Sequence, residues 1–199
     1  MSGIFTSLMP EAKQTLIQSM TVMGVSMRTF IGVPPSMVEI YGSDIKKMYI
    51  ANKIPICFGV ITLVVSAFIH LMIMSIIIFV LAPIVFHATM PSNIPLYFLT
   101  LALFIIVSLA ISCVLGLAVK NQVKLTSYSQ VVFLPSIMLS GIIFSAELLP
   151  NFLENMEKLF PATLLIQKNI DVSTFFPLII ILIISILASV QLLKKIRSE

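Results

Sequence analysis

Arg28, His70 and Glu147 are ionisable side chains set inside or at the edge of apolar runs. In a hydrophobic setting such groups are costly and mark proton relays, ion pathways or counter-ions. A proton- or ion-coupled transporter would use Arg28, His70 or Glu147. His70 stands alone in its run and His87 sits at the end of it, so the two lack metal-ligand spacing. A histidine satisfied against a neighbouring helix is the simpler reading of His70. Cys57 and Cys113 fall in apolar stretches without metal or disulfide spacing and read as small core residues. No G-x-x-x-x-G-K-[ST] loop is present to cradle nucleotide phosphates. No nucleophile–base pair or metal constellation can be assembled from the spacing. The chain is therefore read as a non-enzyme without a cofactor.

The stretch 139–150, LSGIIFSAELLP, raises a different chemistry. Its first three letters also open the signature of ATP-binding-cassette ATPases. That signature continues with further glycines and a polar residue, whereas Gly141 is followed by Ile142 and Ile143. The stretch reads instead as an interrupted membrane helix. Ser140 and Gly141 permit close backbone approach, Glu147 marks a water boundary, and Pro150 with Asn151 starts a new helix.

The elements that carry these residues are membrane helices. Of 199 residues, 59% are hydrophobic and 10% charged, against about 25% charged in a soluble domain. So few charges cannot cover a surface in water, so lipid is the solvent. A crossing helix needs about 20 mostly apolar residues. Segments 54–86, 96–119, 125–146 and 172–193 meet this without an Asp, Glu, Lys or Arg. A fifth, 14–38, carries Arg28, Gly24, Gly32 and the pair Pro34-Pro35. A central arginine costs about 2.5–3.5 kcal/mol on insertion scales, so Arg28 either snorkels or faces protein or water. The predicted architecture is an all-α polytopic bundle, one domain over residues 1–199, with five spans and short interfacial helices.

Lysine and arginine placement sets the orientation. Lys46, Lys47, Lys53, Lys120, Lys124, Lys194, Lys195 and Arg197 fall on one side; Lys13, Lys158 and Lys168 fall on the other. The first side is cytoplasmic, so the N-terminus is expected outside and the C-terminus inside a cell membrane, of bacterial type. The N-terminus lacks the pattern of a cleavable signal. The net charge of +4 is spread in short clusters beside apolar runs, a membrane pattern that gives no reason to expect nucleic acid.

Two loops are informative. In 39–55, EIYGSDIKKMYIANKIP, Gly42 breaks a helix, Ser43 is a good N-cap and Asp44 suits a helix N-terminus. Ile45, Met48, Tyr49 and Asn52 then share a face edged by Lys46, Lys47 and Lys53. This predicts a short amphipathic helix on the inner membrane surface. It either seals the headgroup region or docks a cytoplasmic partner. In 150–161, PNFLENMEKLFP, Asn151 and Glu154 have capping-box spacing. Phe152, Leu153, Met156, Leu159 and Phe160 make an apolar face that predicts a helix lying flat on the outer surface.

Residues 139–167 resemble the late segment of ABC-2 type transporter permeases, the membrane subunits of one class of ATP-binding-cassette exporter. Leu139, Ser140, Gly141, Phe144, Leu149, Pro150, Phe160 and Pro161 occupy the places of that family's motif. Ser145 stands where the family often has a proline. Glu39, Gly42, Lys46, Lys47 and Pro55 resemble the family's cytoplasmic element after its second span, and the Lys120–Lys124 loop also fits. The family has six spans, so the chain is expected to begin at the equivalent of the second.

The resemblance implies a permease that supplies no catalytic residue to ATP hydrolysis. It implies an ABC ATPase subunit docking at Glu39, Gly42, Ser43, Asp44, Lys46, Lys47 and Lys53, and a path shared with a second permease copy or a homologous permease in membrane lipid. The substrate would be drug-like, a peptide or lipid-like. Two other classes remain beside it: the ion- or proton-coupled transporter, and a non-transporting immunity or assembly subunit.

Overall fold

The computed structural model describes residues 12–42, 48–49, 51–91, 93–119, 121–139 and 172–198. Every regular element among them is helical: α1 (Ala12–Ser26), a π-helical turn π1 (Met27–Gly32), α2 (Val33–Gly42), α3 (Cys57–Phe86), α4 (Ile94–Ala118), α5 (Gln122–Leu139) and α6 (Val172–Ser198). The protein is an all-α membrane bundle. Among the described residues four stretches are long and apolar enough to cross a membrane: Leu16–Tyr41, formed by α1, π1 and α2 in succession, then Cys57–Phe86, Ile94–Ala118 and Pro177–Ile196. The segment expected to span at 125–146 is α5 as far as Leu139. The run Thr126, Ser127, Tyr128, Ser129, Gln130 makes the described part of α5 more polar than those four.

Local chemistry sets the helix limits. His87 takes the left-handed conformation (φ 50°, ψ 37°) and ends α3. Asn93 is extended, and Pro95 follows in the first turn of α4, where its missing N–H costs nothing. At the start of α5 the Asn121 side-chain oxygen accepts the backbone N–H of Val123 at 3.0 Å and of Lys124 at 3.4 Å, capping two otherwise orphan donors.

Burial does not follow hydropathy among the four spans. In the Leu16–Tyr41 and Ile94–Ala118 spans half of the most apolar window is buried, against 17% in Cys57–Phe86 and 11% in Pro177–Ile196. The first span, with the weakest sequence signal, is thus central. The reason lies in its small and hydroxylated residues. Thr21, Ser26 and Thr29 are buried there, as are Ser108 and Ser112 on α4. Such residues let helices approach and bond across the gap, whereas purely apolar helices are equally content against lipid. The Thr21 and Tyr97 hydroxyls are hydrogen-bonded at 3.1 Å. Tyr97, Phe98 and Phe79 form an aromatic trio with centroids 5.4–5.6 Å apart, tying α3 to α4. At the other end α2 crosses α4 over Gly116, where an added Cβ would sit 2.8 Å from Met37 Cβ and 3.1 Å from the Pro34 carbonyl oxygen.

Candidate membrane path and coupling loop

The loop between the first span and α3 is anchored by one side chain. The Tyr41 phenol donates to the Ile56 carbonyl at 2.6 Å and accepts the Val60 N–H at 3.1 Å. It therefore ties the last turn of α2 to the first turn of α3. Gly59 makes the approach possible: a Cβ there would lie 3.0 Å from Ile40 Cγ2 and 3.2 Å from both the Tyr41 oxygen and Tyr49 Cε2. Met48 and Tyr49 belong to a helical turn. Its exit is closed by the Asn52 N–H donating to Met48 O at 3.0 Å and the Ile54 N–H to Tyr49 O at 2.9 Å. Lys53, at φ 55°, takes the left-handed position usual for glycine at a helix end.

Of the residues expected to couple, Glu39 and Lys53 are exposed and Gly42 is the last residue of α2. Ser43, Asp44, Lys46 and Lys47 lie outside the described residues. Met48 is 61% exposed beside them, an apolar side chain left uncovered at the same end.

A second feature lies at the middle of the first span. Pro34 and Pro35 have no N–H to donate to the carbonyls one turn before them, and a regular α-helix would clash there. The chain meets this with the wide turn π1, in which the Val33 N–H bonds five residues back to Arg28 O. Thr29 is fully buried within it, its hydroxyl donating to Val25 O at 2.8 Å and sharing Ser26 O at 3.2 Å. The Ser112 hydroxyl of α4 donates to the Thr29 carbonyl, so the widened turn is held from the neighbouring helix. Wide turns of this kind recur at functional sites. Arg28 faces outward from π1 and is exposed. Its side chain lies over Gly32, whose absent Cβ would stand 2.7 Å from Nη1 and 3.1 Å from Cδ. Met23 and Met27 are also exposed, at 53% and 56%. The proline pair was the sequence signal for this turn.

α5 packs beside π1 and α2. It buries Leu125, Ser129, Ser136 and Ile137 and leaves Thr126, Ser127, Tyr128 and Gln130 exposed. π1 and α5, which pack together, thus both carry exposed polar side chains: Arg28 on the first, and Thr126, Ser127, Tyr128 and Gln130 on the second.

Two expectations are corrected. Cys57 is exposed, not a core residue, because it lies at the mouth of an open groove between α3, α4 and α6 and not within packed side chains; Cys113 is buried. His70 is exposed on α3, on a face with Thr62 and Ser66, and is not covered by a neighbouring helix. A groove of about 540 Å³ between α3, α4 and α6 is lined by Val64, Phe68, Leu109, Cys113 and Ile186 among others and presents no polar surface. Leu139 closes α5. Ser140, Gly141, Phe144, Glu147, Leu149, Pro150, Phe160 and Pro161, with the expected outer helix at 150–161, lie outside the described residues.

The family model for the ABC-2 type transporter matches residues 16–171, more than half of the chain and inclusive of the first span, the 39–55 loop, α3, α4 and α5. The chain matches no curated protein and no solved structure.

Proposed function

The chain belongs to the ABC-2 type transporter family, and from that premise we propose that it is the permease of an exporter driven by a separate ABC ATPase. As a family member it is a multi-pass membrane subunit, and the family implies an ABC ATPase partner generally. The finer reading is ours. The 39–55 loop is the docking element, on the cytoplasmic side assigned by lysine placement. Two permease copies face each other and enclose the path. The cargo is drug-like, peptide or lipid-like.

The observation that carries the coupling role is the double hydrogen bond of Tyr41. A loop whose two flanking helices share one phenol cannot be displaced without moving the first span and α3 together. ATPase closure pushing on 43–53 would therefore reach the centre of the bundle through α2, which crosses α4 at Gly116. The second copy is supported by the uncovered polar residues of π1 and α5. Such side chains within a membrane protein face a partner or a water-filled path and not lipid.

The test is co-purification of the chain with an ABC ATPase, followed by ATP-driven transport in reconstituted vesicles. ATPase binding with ATP-dependent export is the expected result. Absence of both would end the permease reading. The exposed His70 favours a second reading, proton-coupled transport, which requires a proton gradient and no ATP.

A further inference from the structure

The permease reading names no ligand for the one charged side chain at the middle of the bundle. Arg28 lies near the midpoint of the Leu16–Tyr41 span. Its guanidinium rests over Gly32, one turn further along the same helix. That moves the charge about 5 Å toward one membrane face, while the headgroups stand about 15 Å from the midplane. The side chain lies down on its own helix and does not reach for water. Glu39 is the one acidic side chain among the described residues. It is eleven positions further along the same helical run, about 16 Å away at the usual rise.

The site around Arg28 is built. Gly32 leaves the space that the guanidinium occupies. Thr29, adjacent to Arg28, is locked by its own bonds to Val25 and Ser26 and by Ser112 from α4, which fixes the turn from which Arg28 projects. Met23 and Met27 are exposed on the same stretch of helix; methionine is apolar, polarisable and adaptable to varied shapes. A planar cation with two parallel donors matches a carboxylate or a phosphate, and the methionines match an apolar body.

We propose that Arg28 recognises the anionic group of the transported molecule, and that the cargo is an amphiphile bearing a carboxylate or phosphate. This deepens the permease reading and rests on it. The neutral groove between α3, α4 and α6 has no means of making that selection.

The purified chain in phosphatidylcholine nanodiscs tests this by thermal stabilisation against dodecanoate, dodecyl phosphate, dodecanol, dodecyltrimethylammonium and inorganic phosphate. Both anionic amphiphiles are expected to stabilise the protein, and the neutral and cationic ones are not. Arg28→Gln should weaken the anionic amphiphiles about tenfold or more, as loss of a charge-assisted pair implies. Gly32→Ala keeps the charge but displaces the guanidinium, and should weaken them in the same order if Arg28→Gln does not fold. Equal stabilisation by dodecanol would overturn the proposal, as would unchanged anion affinity in both variants. Inorganic phosphate binding as tightly as dodecyl phosphate would overturn the amphiphile class. Loss of self-association in Arg28→Gln with unaltered amphiphile binding would assign the guanidinium to a second copy and also overturn it. Binding is read without ATP or ATPase, so failure here leaves the permease reading standing, and failure to co-purify an ATPase leaves the binding result interpretable.

Discussion

Tyr41 donates its phenolic hydrogen to the carbonyl oxygen of Ile56 across 2.6 Å, joining residues fifteen positions apart at the two ends of the proposed docking loop. The same oxygen also accepts from Val60, so one side chain holds both ends of that loop. Tyr41→Phe removes both bonds and keeps the ring. It is expected to cost about 0.5–1.5 kcal/mol per lost bond in stability. ATP-driven transport should fall several-fold while ATPase binding holds. Transport assayed beside pull-down separates the two; a parallel loss of binding would mean that Tyr41 shapes the docking surface itself.

Lys46 and Lys47 carry the positive charge at the centre of the loop. Reversal of both, Lys46→Glu with Lys47→Glu, is expected to reduce ATPase association and make the remainder more salt-sensitive. Membrane insertion should be unchanged, because the four long apolar helices do not include these residues. Carbonate extraction measures insertion and co-purification measures docking. Undiminished docking would take the coupling role away from this loop.

Gly116 marks the point where α2 crosses α4. A methyl group there would meet Met37 Cβ at 2.8 Å and the Pro34 backbone at 3.1 Å, neither of which is a free side-chain end. Gly116→Ala should therefore force the helices apart and destabilise by about 1–3 kcal/mol. Gly24→Ala meets only the flexible end of Met74 and should cost much less. Thermal unfolding in detergent orders the two variants; an equal effect would contradict the crossing geometry.

His70 is exposed on α3 with Thr62 and Ser66. Under the ATP-driven reading His70→Ala leaves transport within about twofold of the parent, because an exposed side chain away from the core changes little. Under proton coupling it abolishes transport and its dependence on a pH gradient. Vesicle assays with ATP alone and with a pH gradient alone decide between them.

Much of the architecture was legible in the residue order. Bilayer thickness sets the length of a crossing helix and water excludes long apolar runs, so 54–86, 96–119 and 172–193 show themselves as helices by composition alone. The apolar run that stops at Phe86 in the sequence stops there in the structure, at left-handed His87. Pro34-Pro35 enters the sequence reading only as a feature of the fifth, weaker span, and the wide turn before it was not foreseen. The assignment of sides from lysine placement stands as a sequence reading. The late motif at 139–161 and the middle of the loop stand as sequence readings, since most of their residues lie outside the described structure.

Burial and pairing were decided only by the tertiary structure. Hydropathy measures transfer out of water and cannot distinguish a neighbouring helix from a lipid tail, since both are apolar. It ranked 14–38 lowest, yet that run lies at the centre, because Thr21, Ser26, Thr29 and the glycines that weaken its apolar score are what let other helices pack against it. It placed Cys57 in the core and His70 against a neighbour, and both are exposed. The clasp of Tyr41 on Ile56 and Val60, the hold of Ser112 on Thr29, and the seat of Arg28 over Gly32 depend on the wide turn and on how helices meet. Composition, periodicity and charge counts carry no information on such distances, which arise only when separate parts of the chain are brought together.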